Sequence, residues 1–199
     1  MQSFNHLLDV YNAAAAEEKP AIEQLIRRSF QVTATALVLD MTAFSISVRR
    51  TGILAHLGVI RRMQTLAQEA IEATGGEIVK FDADNVFAMF PEARSAIAGA
   101  ELIQTRIGPS GIATVDGFGI GASIGIDSGE LLLIRGADFF GDAVNVASKL
   151  GEDIADRGEV LVTERAYAAA GRPDGYMSVE YNVSGLPIAA WRRAFPQAT

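Results

Sequence analysis

Apolar and helix-forming positions dominate the first 29 residues. Leu7, Leu8, Val10 and Tyr11 gather into one patch, and Ala13, Ala14, Ala15, Ala16 and Glu17-Glu18-Lys19 are strong helix formers. Pro20 predicts a second helix over 21–30, because proline is tolerated in a first turn. Residues 1–29 are therefore expected to form a helical arm that serves packing or dimerisation. At Gln31 the pattern changes. Residues 32–41 are rich in Val, Thr and Leu, and Ala36-Leu37-Val38-Leu39 is a continuous apolar run, as in a strand buried on both faces. Leu57, Ile60, Met63, Ala67, Ala70 and Ile71 then recur at helical spacing, and Gly75-Gly76 ends that helix. Strands over 77–81 and 86–90 flank a turn at Asp82-Ala83-Asp84-Asn85, and a helix over 91–107 follows.

Beyond a glycine-rich loop at 108–117, Phe118, Ile120, Ala122, Ile124 and Ile126 alternate with Gly119, Gly121, Ser123 and Gly125. One face of this strand is nearly bare, so something is expected to pack close to its backbone. Asp127-Ser128-Gly129 reads as a turn into a strand over 130–134. A helix over 141–155, a strand over 159–162, a short helix over 164–170 and a hairpin of 176–183 with 188–192 complete the chain. The order predicts an α+β fold, with a ferredoxin-like βαββαβ core, a mixed or antiparallel sheet and C-terminal additions. Residues 30–199 are expected to form one domain.

Composition narrows the chemistry. With 199 residues, 49% of them apolar, the chain can bury a real core. No apolar run approaches the ~18 residues of a membrane span, and the first residues lack the pattern of a signal peptide, so a cytoplasmic location is expected. There are no cysteines and two histidines, which excludes disulfides and points away from zinc, leaving a hard cation held by carboxylates as the expected metal. A net charge of −7 argues against a nucleic-acid partner. Any anionic substrate must then be held by a few cations, helix N-termini or metal ions.

Four segments carry a family resemblance. Leu39-Asp40-Met41-Thr42-Ala43-Phe44-Ser45, Lys80-Phe81-Asp82-Ala83-Asp84, Ile124-Gly125-Ile126-Asp127-Ser128-Gly129 and Gly141-Asp142-Ala143-Val144-Asn145-Val146-Ala147-Ser148 resemble, in order and spacing, the motifs of the class III nucleotidyl cyclase catalytic domain. That family makes cyclic AMP or cyclic GMP from a nucleoside triphosphate. The resemblance implies that Asp40 and Asp84 hold two Mg²⁺ or Mn²⁺ ions, and that Lys80 and Asp138 read the base. It further implies that Phe44 helps bind substrate, that Asn145 orients the ribose and that Lys149 steadies the transition state. Lysine donates to adenine N1 and aspartate accepts from the 6-amino group. Guanine presents the opposite pattern, so ATP is expected over GTP. In the family, the metal carboxylates come from one subunit and the other groups from its partner, which implies a homodimer.

The chain also departs from the family. Lys149 stands for an arginine, Ala43 and Ala83 for glycines, and Ser184-Gly185 for Lys-Gly. Arg135, Arg192 and Arg193 are the alternatives for that last cation. A diguanylate cyclase would need a Gly-Gly-[Asp/Glu]-Glu-Phe hairpin, which Phe81-Asp82-Ala83-Asp84-Asn85 is not. Two functions follow: an adenylate cyclase, and a catalytically weak nucleotide-binding or regulatory module.

Overall fold

The computed structural model describes residues 3–42, 52–107, 120–183 and 186–196. Helix α1 (Phe4–Ala13) starts at Ser3, whose Oγ accepts from the His6 amide at 3.2 Å. Helix α2 (Lys19–Phe30) carries Pro20 in its first turn. The alanines after Ala13 do not extend α1. The backbone turns extended at Ala14, and the Glu18 amide bonds the Ala15 carbonyl at 3.0 Å. This turn folds α1 back so that the Phe4 ring meets the edge of Phe30, with centroids 5.2 Å apart. A tertiary contact here outweighs alanine's helix propensity.

Strand β1 (Gln31–Thr42) runs straight on from α2 and is followed by α3 (Ile53–Ala73), β2 (Glu77–Asp82), β3 (Asn85–Phe90) and α4 (Ala93–Ile107). Then come β4 (Gly121–Ile134), β5 (Asp138–Phe140), α5 (Asp142–Ser148), a π-helix (Lys149–Ile154), β6 (Glu159–Thr163), α6 (Glu164–Ala169), β7 (Met177–Val183) and β8 (Leu186–Ala194). The sheet order is β2-β3-β1-β4-β6-β8-β7, with β5 on β4, and among the described residues only the β4–β6 pairing is parallel. The first four strands thus give the expected ferredoxin-like core in an α+β fold.

Alternation along β1 assigns the two faces. Leu37, Leu39 and Met41 join Ala122, Ile124 and Ile126 of β4 under α3, α4 and α6. Ala34, Ala36 and Val38 join Val79, Phe87 and Met89 on the other face, beneath Phe139 of β5 and Val144 and Ala147 of α5. The functional candidates gather on this second face.

Two expectations need correction. Asp127-Ser128-Gly129 is no turn: β4 is continuous, and its partners on β1 run from Thr42↔Gly121 through Ala36↔Asp127 to Gln31↔Leu132. The Asp127 carboxylate accepts from the adjacent Ser128 amide within the extended strand, and Thr163 and Arg165 engage it from β6 and α6. The helix expected over 141–155 is α-helical only to Ser148, then widens into the π-helix, closed by an Ala155 amide to Leu150 carbonyl bond of 2.8 Å. Six residues are too few for periodicity to separate the two helix types.

Candidate active site

The bare face of β4 explains how α5 is seated. A Cβ on Gly125 would collide with the Ala147 carbonyl and lie 2.5 Å from the Gly151 amide nitrogen. One on Gly151 would lie 2.6 Å from the Val38 carbonyl. The α5 and π-helix backbone therefore rests directly on β1 and β4. The close packing expected on this strand is present, supplied within the chain, with Arg157 over Gly121. The glycine positions at 121 and 125 are thus no surface left open for a partner.

The start of α5 has a second anchor. Asp127 is fully buried, and its carboxylate accepts from the Ser128 amide at 2.8 Å and from Arg165 Nε at 2.6 Å, with Thr163 and Arg165 Nη2 also bonded to it. Arg165 Nη2 also reaches Asp142 in the first turn of α5, at 2.8 Å. Asp127 and Asp142 hold the Arg165 guanidinium firmly protonated. This clip was invisible in the sequence, because Asp127 looked like a turn residue.

On α5, Asn145 and the following Lys149 are exposed and one α-helical turn apart, as the i, i+4 spacing requires. The Lys149 ammonium is paired with Asp153 inside the π-helix, which raises its pKa.

Lys80 and Asp138, 58 residues apart, are brought together. The β4–β5 hairpin folds back over the second face, so that Phe139 meets the edge of Phe87, with centroids 6.3 Å apart. The Lys80 ammonium then lies 3.0 Å from Asp138 Oδ1 and 3.1 Å from Oδ2, and 4.8 Å from the centre of the Phe87 ring. The Phe139 amide donates to the same carboxylate at 2.9 Å. Both side chains remain about one-third exposed, open to a ligand.

Asp40, at the end of β1, and Asp84, in the β2–β3 turn, also converge. Burial, then the charges of Asp84 and of Glu152 on the π-helix, push the Asp40 carboxyl up to about 6, against the lowering effect of the Met41 backbone. The Asp84 turn passes through Ala83 at φ 50°, the left-handed conformation that the glycine of related motifs would adopt freely, and Gln64 of α3 donates to the Ala83 carbonyl at 3.1 Å. Among the described residues no group of three acidic or histidine side chains forms a ready metal cage. Two crowded carboxylates nevertheless fit Mg²⁺ or Mn²⁺, which keep waters and substrate oxygens as the rest of their shell. Glu152 escaped the sequence reading, although its spacing of seven from Asn145 was a signal.

Within the chain, Asp40 feels the charges of Asp84 and Glu152, while Lys80 is engaged by Asp138. Ala43, Phe44, Ser184 and Gly185 lie outside the described residues. The alternative cations are all engaged elsewhere: Arg135 with Glu77 at 2.9 Å, Arg192 with Glu159 at 3.4 Å and Arg193 with Glu101 at 2.6 Å.

No protein-family model matches the chain. A Rhizobium meliloti (strain 1021) protein named "Putative adenylate cyclase 3" is 25% identical over 165 residues, 79% of this chain, which spans only 27% of that protein's length. The structure of an adenylate/guanylate cyclase/hydrolase from Silicibacter pomeroyi matches with a TM-score of 0.69 at 29% identity, over 83% of this chain and 98% of that one. The chain is similar to class III nucleotidyl cyclase domains. The adenylyl cyclase CyaB from P. aeruginosa shares the fold at 19% identity, with a TM-score of 0.65 over 84% of this chain and 96% of that one. In this chain the described residues of the four motifs fall at the end of β1, along the β2–β3 hairpin, on β4 and at α5. No helix among the described residues is long and apolar enough to cross a membrane.

Proposed function

We propose that this domain is an adenylate cyclase, converting ATP to 3′,5′-cyclic AMP and pyrophosphate at sites shared between two copies of the chain. The observation that carries the reading is the Lys80–Asp138 pair, which sets an ammonium donor beside a carboxylate acceptor on an open face. That pattern complements the adenine edge and opposes guanine's.

In this reading the ribose 3′ oxygen bonds to the α-phosphorus as the bond to the pyrophosphate oxygen breaks, and the hydroxyl proton leaves to solvent. Asp40 and Asp84 hold two Mg²⁺ or Mn²⁺ ions, which would lower the pKa of the hydroxyl and offset charge on the phosphates. Asn145 orients the ribose, and Lys149 leaves Asp153 to meet the phosphates. Phe44 is assigned to substrate binding by the family resemblance alone. As in the resembling family, each chain of a homodimer would lend one pair to each site.

The test is incubation of purified protein with ATP or GTP under Mn²⁺ or Mg²⁺, with both cyclic products measured. Cyclic AMP in excess over cyclic GMP is expected, and a dominant cyclic GMP signal would reverse the base assignment. One observation favours a second reading, a nucleotide-binding module with little turnover: Lys149, the cation four residues after Asn145, is paired with Asp153. Nucleotide binding without either product would select it.

A further inference from the structure

We propose that the N-terminal helical pair supports base selection: Phe4 of α1, stacked on Phe140, holds β5 so that Asp138 stays against Lys80. The inference rests on the base-reading role given above to Lys80 and Asp138.

Strand β5 needs such support. It has three residues, follows an exposed turn with Gly136 at φ 72°, and pairs only with the end of β4, Ile134↔Asp138 to Leu132↔Phe140. Its inner side chain, Phe139, is buried against Phe87. Its outer one, Phe140, is 47% exposed and would stand in water without the arm. The Phe4 ring lies nearly parallel to it, 11° off plane at 5.9 Å between centroids, while its own edge contact with Phe30 fixes α1 against α2. Leu7, one turn along α1, is buried, so the helix is docked rather than adjacent.

The contact reaches the base reader in one step. The Asp138 carboxylate is oriented by the amide of Phe139, its own strand neighbour, so a tilt of β5 moves the carboxylate directly. Beneath it, Lys80 rides on Phe87, the ring that Phe139 touches. Phe4 and Phe140 on the outer side of β5, and Phe139, Phe87 and Lys80 on its inner side, are thus joined through the β5 backbone from the arm to the base-reading pair. Phe4 and Phe140 are positioning residues; neither touches the base.

The test compares dissociation constants of fluorescent ATP and GTP analogues for wild type, Phe4→Ala, Phe4→Leu, Phe4→Trp and Phe140→Ala, each first confirmed folded by its melting curve. The ATP preference should fall about tenfold, the loss of roughly one charge-assisted hydrogen bond, in Phe4→Ala, Phe4→Leu and Phe140→Ala, and return in Phe4→Trp. Hydrogen exchange at the Phe139 amide should quicken in the same variants. An unchanged ratio in folded Phe4→Ala and Phe140→Ala overturns the proposal and leaves the arm a packing element. A wild type that binds neither nucleotide overturns it together with the base-reading assignment. A ratio that moves as expected in a protein that makes no cyclic product retains this inference and removes only the catalytic half of the proposed function.

Discussion

Asp40 concentrates the electrostatics of the candidate site in one side chain. Its carboxyl titrates near 6 because burial and two neighbouring carboxylates disfavour its charge. Because that folded value is raised above the ordinary one, the metal-free fold holds the proton more tightly than the unfolded chain does. The stabilisation is therefore complete below about pH 4 and is lost as the pH rises through about 6. Asp40→Asn removes the penalty, so it should unfold at higher urea than wild type at pH 7.5 and at equal urea at pH 4. Metal binds the ionised carboxylate, so Mn²⁺ affinity should be roughly tenfold weaker at pH 5 than at pH 7, with about one proton released per site filled at pH 5. Calorimetric titration in buffers of different ionisation enthalpy reads both quantities. A pH-independent affinity would remove Asp40 from the metal site.

At the scale of elements, the placement of α5 and the π-helix is decided by two glycines that let backbone touch backbone. Gly125→Ala puts a methyl group into the Ala147 carbonyl and the Gly151 amide, neither of which can turn aside as a side chain could. Overpacking of this kind costs about 1–3 kcal/mol, and the upper end is expected where the obstacle is main chain. The same shift would carry Asn145 and Lys149 off their positions. Cyclic AMP formation should therefore drop more than the folded fraction does, when urea melts and turnover are measured on the same preparation. An active, fully stable Gly125→Ala would mean that α5 is held elsewhere, with the Asp127–Arg165–Asp142 clip as the remaining anchor.

For the whole molecule, the question is whether one chain suffices. The Asp40–Asp84 and Lys80–Asp138 pairs share a face of the sheet but not their electrostatic partners. If each site draws one pair from each copy, Asp40→Ala and Asn145→Ala chains, silent alone, should recover activity when mixed. A mixed dimer holds one site that avoids both changes, so roughly a quarter of wild-type activity is expected from random pairing, half of the dimers each carrying half of the sites. Mixed dimers isolated by two affinity tags and still inactive would exclude a shared site.

The sequence by itself determined the ferredoxin-like core and most of the elements around it, because these rest on local signals, while the candidate pairs Asp40–Asp84 and Lys80–Asp138 came from the family resemblance. Apolar alternation marks strands, Gly75-Gly76 stops α3, and Asp40, Lys80 and Asp84 sit in short motifs tied to one strand and one hairpin. It also pointed to tight packing on the glycine face of β4, since a missing side chain must be matched by something close. Only the tertiary structure decided what that something is. It also decided that Asp127 is a buried anchor within a continuous strand, that the last turns of the α5 segment widen into a π-helix bringing Glu152 toward Asp40, and that an alanine run stops so that Phe4 can reach Phe140. In each of these cases the deciding partner lies far along the chain. Local propensities of a few tenths of a kcal/mol per residue yield there to contacts worth more.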